Sequence, residues 1–224
     1  MSSDRTAVGT ADPEGDKQDC GDLLTSGTFK STVFVTFVVG TLALSGCALL
    51  ERQPQNDTYE LSGIPPVSGP SSRGRQIVVT DPAALKSLDG DRIVVRTSPS
   101  AIRFLDKSQW NDNLPEVVQE RLIEAFEDSG RLGGVGKPGD NIAVDYLISP
   151  TIRSFEVIAG VTDTAVVEIS VRVINDRNGV VRAQRVFQAT APVAGTENQA
   201  FITALDEANG QVMNDIVSWV LGIV

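Results

Sequence analysis

Residues 167–179 read VEISVRVINDRNG, and this stretch decides the fold class. Every second residue from Val167 to Val173 is apolar and the residues between them are polar, which is the period of a strand with one buried face. Residues 175–179 supply turn chemistry through asparagine, aspartate and glycine. The run 180–191 is therefore expected to return as the antiparallel partner of a hairpin.

Strand and helix patterns continue outward from this hairpin. A second alternating strand is expected over 142–148, and short β-branched runs predict strands further upstream at 77–79, 92–96 and 102–105. Apolar residues spaced along one helical face predict amphipathic helices between Leu114 and Phe126 and between Phe201 and Val220, with capping boxes at 113–116 and 196–199. The order predicts an α+β fold, with a mixed, largely antiparallel sheet and two amphipathic helices packed on one side.

Composition divides the chain into three parts. Residues 1–46 are expected to be an acidic extension plus a lipoprotein signal peptide that is removed. Residues 47–75, rich in proline, glycine and serine, predict a lipidated N-terminus and a flexible tether. Residues 76–224 are expected to form a periplasmic α+β domain, whose first short strand lies at 58–61.

The targeting prediction rests on an apolar run and a cysteine. Residues 33–44 carry no charge, and their length suits a signal sequence better than the ~20 residues of a membrane-spanning helix. The run leads into Leu44-Ser45-Gly46-Cys47, which resembles the lipobox of bacterial lipoprotein precursors. That resemblance implies cleavage before Cys47, diacylglycerol and N-acyl chains on its thiol and amine, and, with Ala48 next, the outer membrane. A short buried helix that ends in a chance cysteine is the alternative.

The chain contains few of the residue types that most often carry out catalysis. The chain has no histidine, which removes the commonest general base and the commonest metal ligand, so we assign no catalytic residue and no metal site. Residues 134–139 match G-x-G-x-x-G, but they follow a helix, so a helix C-cap and loop is the better interpretation. The carboxylates at 124, 127 and 128 are expected to form a solvated helix face, and Trp110 is expected to pack on the core.

Charge and the C-terminal residues bear on partners. Residues 1–46 hold three of the 19 basic and six of the 29 acidic residues, so the chain from Cys47 onward carries about −7 and is not expected to bind nucleic acid.

Residues 216–224 offer more apolar surface than one helix stripe can bury. Val217, Trp219 and Val224 are therefore candidate partner contacts, with a terminal helix lying in a deep core groove as the alternative.

The whole pattern resembles the ABC-type transport auxiliary lipoproteins, the family that includes the lipoprotein of the paraquat-inducible Pqi system. The likeness rests on the lipobox, Tyr59-x-Leu61, the stretch 88–96, Trp110 before a helix, and a hairpin before the terminal helix. It implies a non-catalytic, periplasm-facing docking or lipid-guiding subunit, with no cofactor beyond its acyl chains. It also implies an MCE-domain protein, an ABC permease and its ATPase as partners, with further copies of the chain as another partner. A structural lipoprotein that assists assembly of an outer-membrane complex and an anchored hydrolase are the alternatives.

Overall fold

A computed structural model describes residues 56–224, and the predictions for Cys47 and for the rest of 1–55 lie outside them. Within that range the chain forms nine strands and two helices. The strands are β1 (Asp57–Tyr59), β2 (Ser72–Val79), β3 (Ala83–Ala84), β4 (Arg92–Ser98), β5 (Ala101–Trp110), β6 (Leu132–Gly136), β7 (Tyr146–Ile158), β8 (Thr164–Asn175) and β9 (Val181–Pro192). The helices are α1 (Leu114–Ser129) and α2 (Asn198–Leu221).

Strand β7 is the axis of the sheet. On one side β8 pairs with it along its whole length, antiparallel, and β9 pairs with β8 in the same way, which confirms the predicted hairpin. On the other side β7 takes three short parallel partners in succession, β2 at 146–148, β3 at 151–152 and β4 at 156–158. Strand β6 extends the sheet beyond β2, and β5 and then β1 extend it beyond β4. The mixed sheet confirms the predicted α+β class.

Strand β7 differs from its prediction in both bounds. The sequence placed a strand over 142–148, whereas the strand begins at Tyr146 and continues through Pro150 to Ile158. A proline lacks the amide hydrogen of a ladder and normally indicates a strand end. Here Pro150 lies between the β7 segment paired with β2 and the segment paired with β3. Neither pairing therefore needs the amide hydrogen that proline lacks.

The core lies between the sheet and the helices. Helix α2 packs on β7, β8 and β9, and α1 packs on α2, β2 and β6. One face of β8 is fully buried against this layer, at Ala165, Val167, Ile169, Val171 and Val173. Trp110 is also buried, as predicted, with its ring edge-on to Phe155 at 5.8 Å between centroids. The opposite side of the sheet, which we call the outer face, carries no helix among the described residues.

The predicted tether reaches too far into the domain. Residues 47–75 were expected to be flexible apart from a short strand at 58–61. A strand does lie there, as β1 from Asp57, but Leu61 and Val67 are also 1% and 5% exposed in the core. The Ser62 amide donates to the Asp206 carboxylate of α2 at 2.7 Å. Leu61 and Val67 are isolated apolar residues among prolines and glycines and show no periodicity. The composition therefore indicated a flexible linker, whereas this segment crosses α2.

Two local predictions are corrected at the helix ends. The glycine-rich run after α1 does begin with a left-handed C-cap, Gly130 at φ 61°, but it continues as β6 where a loop was expected. Gly133 makes that strand possible, because a Cβ there would lie 2.3 Å from the Arg73 carbonyl oxygen. Neither helix has the predicted hydrogen bond from a capping side chain. Asn113 occupies the N-cap position of α1 and Glu197 that of α2, but neither side chain makes a cap hydrogen bond.

Candidate functional site

The outer edge of β9 is the candidate docking site. Strand β9 pairs with β8 over Val181–Pro192, and no described strand pairs with its other side. A free edge of twelve residues offers a row of backbone donors and acceptors to an added strand. Val181 and Val186 on this strand are 46% and 42% exposed, so apolar side chains accompany the open backbone. We call this feature the β9 edge.

An aromatic stack lies beneath the β9 edge on the helix side. The Arg185 guanidinium sits 5.0 Å from the centre of the Phe187 ring, and Phe187 meets the Trp219 ring edge-on at 5.4 Å. Phe187 is buried, whereas Trp219 is only partly buried. This stack ties α2 to the outermost strand, and it brings a residue predicted as a partner contact to the β9 edge.

The other two predicted contacts lie elsewhere. Val217 is fully buried in the core, so its prediction as a surface contact is wrong. Helix α2 is covered by the sheet on one side and by the segment after β1 on the other, and more of its circumference is buried than one stripe accounts for. Val224 packs partly on the core, and its carbonyl accepts the Ser72 hydroxyl at 2.9 Å. Cys47 lies outside the described residues.

The outer face holds a buried ion pair. Glu156 is 6% exposed, and the Arg96 guanidinium clamps it with two bonds, Nε to Oε1 at 2.9 Å and Nη2 to Oε2 at 2.8 Å. The Ser154 hydroxyl donates to the same carboxylate at 2.7 Å. The hydrogen bond to Glu156 raises the pKa of Arg96 above its usual value. The pair joins β4 to β7 beside Val94, and it orients Arg96 rather than leaving a reactive group free.

A second carboxylate, that of Asp145, lies at the opposite end of β7, just before its first residue. Asp145 accepts the backbone amide of Gln76 at 3.1 Å, and the guanidinium groups of Arg75 and Arg177 approach it at 3.3 and 3.4 Å. The Gln76 hydrogen bond, reinforced by the two arginines, lowers the pKa of Asp145. This cluster fastens β2 and the β8–β9 turn to the start of β7, and it is a structural arrangement.

Grooves elsewhere on the described domain hold less chemistry. A groove of about 530 Å³ lies between residues 62–65 and the outer side of α2, with Asp206, Glu207 and Asp215 along it. Asp206 already accepts the Ser62 amide, so the groove is a seam where the chain crosses the helix. Among residues 56–224, no group of three or more metal-binding side chains is placed to hold an ion.

Sequence reasoning missed Arg185 and Phe187 as parts of this site. The turn residues at 175–179 predicted that 180–191 forms a paired strand, but no local pattern shows which strand lies at the edge of a sheet. One signal was available: Arg182, Arg185 and the terminal Pro192 are residues that natural proteins place on edge strands to limit uncontrolled pairing.

Comparison with known proteins adds sequence and fold relatives. Protein bll6063 of Bradyrhizobium diazoefficiens, described as uncharacterized, is 27% identical over 212 residues, which cover 87% of this chain and 56% of that protein. The chain thus spans little more than half of that relative's length. The crystal structure of protein XCC0632 from Xanthomonas campestris has a TM-score of 0.69 at 24% identity, covering 75% of this chain and 96% of that one. A second solved structure, of an uncharacterized protein, has a TM-score of 0.60 at 15% identity, with 74% and 99% covered.

The family assignment follows from a sequence profile. Helices within residues 56–224 are too short or too polar to cross a membrane. The profile of the family described as "ABC-type transport auxiliary lipoprotein component" matches residues 59–217, which is most of the chain and nearly all of the described domain. The two solved structures share the fold. The chain belongs to the family of ABC-type transport auxiliary lipoprotein components.

Proposed function

We propose that this chain is the lipid-anchored docking subunit of an ABC-type lipid transport system that uses an MCE-domain protein. Its signal peptide is cut before Cys47, which then carries diacylglycerol and an N-linked acyl chain such as palmitate. The folded domain faces the periplasm from the outer membrane. Family membership supports the transport role, and the lipobox-like residues 44–47 support the anchor. In this role the domain binds protein and catalyses no reaction.

The β9 edge is the observation that carries this proposal. An added strand would pair with the backbone of β9, and that pairing supplies affinity with little dependence on sequence. Specificity then comes from alternate side chains, with Val186 on the outer face and the Arg185–Phe187–Trp219 stack on the helix side. The partner that this proposal assigns to the edge is the MCE-domain protein. A second copy of the chain could pair there too, and the experiment separates the two.

Crosslinking in cells tests the docking surface. A photoreactive amino acid replaces Val186, at 42% exposure on the β9 edge, and Leu85, at 69% exposure after β3, serves as the matched control. We expect the Val186 variant to form a specific adduct with the MCE-domain protein and the Leu85 variant to form none. An adduct of Val186 only with a second copy would make the edge a self-association surface and reject this docking role. Equal adducts at both positions would also reject it.

A further inference from the structure

Three exposed apolar side chains gather at one end of the sheet. Val161 is fully exposed in the turn between β7 and β8, and Ile158 and Ile102 are 40% and 38% exposed. The strand register places them together, since Ile158 and Ile102 are the cross-strand neighbours of Arg96 on its two sides. The Ala159 amide donates to the Arg96 carbonyl at 2.9 Å, which holds the β7–β8 turn beside the β4–β5 turn. We call these two turns with Ile102 and Ile158 the hairpin end.

Charge does not oppose contact of this end with lipid headgroups. Arg96 and Arg103 lie here with Glu156 and Asp163, so the hairpin end is close to neutral. Asp163 accepts the Gly160 amide at 3.0 Å, and Glu156 is bound to Arg96, so both carboxylates are already engaged. The helices, by contrast, hold eight acidic residues and one basic residue, and would be repelled by an anionic surface.

Chain length allows the hairpin end to reach the anchoring membrane. Asp57 pairs with Ser108 of β5, seven residues from the start of that strand at the hairpin end, which is at most ~25 Å. Asp57 is the tenth residue after Cys47, and ten residues of chain span at most ~36 Å in any conformation. The hairpin end is therefore within reach of the lipid that holds Cys47.

We propose that the hairpin end rests on the bilayer that carries the acyl chains of Cys47, with Val161 in the headgroup region and Ile102 and Ile158 at its margin. This inference rests on the proposed anchor. Together, an exposed apolar tip and a short lipidated segment hold a domain in one orientation, because each contact keeps the other near the surface. In this orientation the β9 edge stands beside the membrane and stays open to a partner.

Fluorescence of the full, lipid-modified chain tests the orientation. Val161→Cys leaves one free thiol, since Cys47 is acylated and Cys20 is removed with the signal peptide, and the exposed turn tolerates a fluorophore. Val180→Cys, 54% exposed at the other end of the sheet, is the matched control. Both proteins are placed in vesicles of phosphatidylethanolamine and phosphatidylglycerol that contain a lipid-borne spin-label quencher. We expect quenching at 161 to exceed that at 180 by at least about threefold.

Three other outcomes would overturn the inference, and they are distinguishable. Equal quenching at the two positions, in protein that floats with the vesicles, would reject the orientation and leave the anchor intact. Protein that fails to float would reject the anchor and the orientation together. Protection of position 161 from an aqueous quencher only when the MCE-domain protein is added would make the hairpin end a protein contact.

Discussion

Glu156 is the one charged residue among 56–224 that is buried, and its partners determine what it contributes. The carboxylate accepts two bonds from Arg96 and one from Ser154. Burying a carboxylate costs free energy that a bidentate partner offsets, so removal of the charge leaves the guanidinium without its counter-ion. The pair therefore fixes the contact of β4 with β7 more than it raises overall stability.

Glu156→Gln should lower the free energy of unfolding by roughly 1–3 kcal/mol, because the amide cannot accept both guanidinium bonds. Glu168→Gln is the control, since that side chain is 26% exposed and meets Arg153 at one distance of 3.3 Å. The control should cost less than about 1 kcal/mol. Urea denaturation followed by tryptophan fluorescence measures both. Equal losses would show that the bidentate pair contributes no more than an ordinary surface contact.

Asp145 makes stability depend on acidity. Its pKa is lower in the folded chain than in the unfolded chain, chiefly through the Gln76 amide and then through Arg75 and Arg177. The stabilisation is therefore complete above the ordinary aspartate pKa of 3.8 and is lost as the pH falls through the lower folded value. Asp145→Asn should remove this part of the acid dependence. If wild type and variant lost stability in parallel as the pH fell below 4, the proposed role of Asp145 would be wrong.

At the scale of elements, β6 depends on one glycine. Gly133→Ala would place a Cβ 2.3 Å from the Arg73 carbonyl oxygen, so β2 and β6 would have to separate. We expect a loss of at least about 2 kcal/mol in the free energy of unfolding. Gly74→Ala, on the facing strand with no atom within 4 Å, should change stability by less than about 0.5 kcal/mol. The same denaturation experiment decides, and a tolerated Gly133→Ala would contradict the close approach.

The helices and the β8–β9 hairpin were predictable because their signals are local. Periodicity places Leu122 and Phe126 on one face of α1, and the turn residues after Val173 require a short return. Pairing between distant segments carries no such signal. The parallel partners of β7 are three consecutive strands that all precede α1, far from β7 in the chain, and the glycines of β6 resemble a loop until Arg73 is placed beside them.

The candidate site was predictable only in part. Trp219 was selected because residues 216–224 offer more apolar surface than one helix stripe can bury, and the structure places it under the β9 edge. Val217 was selected by the same reasoning and is buried. Helical periodicity cannot show that the segment after β1 covers the side of α2 that faces away from the sheet. Whether a strand lies at an edge depends on the order of the whole sheet, so the β9 edge was not visible in the sequence.

At the scale of the whole molecule, charge is divided between the layers. The strands contain ten basic and four acidic residues, whereas the helices contain one basic and eight acidic residues. The strands are thus net positive and the helices net negative. A partner or a membrane surface that meets the sheet side encounters less repulsion than the net charge of the chain suggests.

Cys47→Ser should release the chain from the membrane or leave it uncleaved. Each buried CH₂ of an acyl chain contributes ~0.8 kcal/mol to membrane binding, and the hairpin end alone offers three side chains. Fractionation of cell envelopes, with Cys20→Ser as the control, measures the distribution of the chain. Normal cleavage and full membrane retention of the Cys47→Ser variant would contradict the anchor.

The mass of the N-terminal peptide of the chain, purified from membranes, tests the central claim most directly. A lipid-anchored auxiliary subunit should begin at Cys47 and carry a diacylglycerol on the thiol and an acyl chain on the amine. The peptide should therefore lack every residue before Cys47 and exceed its unmodified mass by those groups. A peptide that continues from the preceding residues through an unmodified Cys47 would contradict the account.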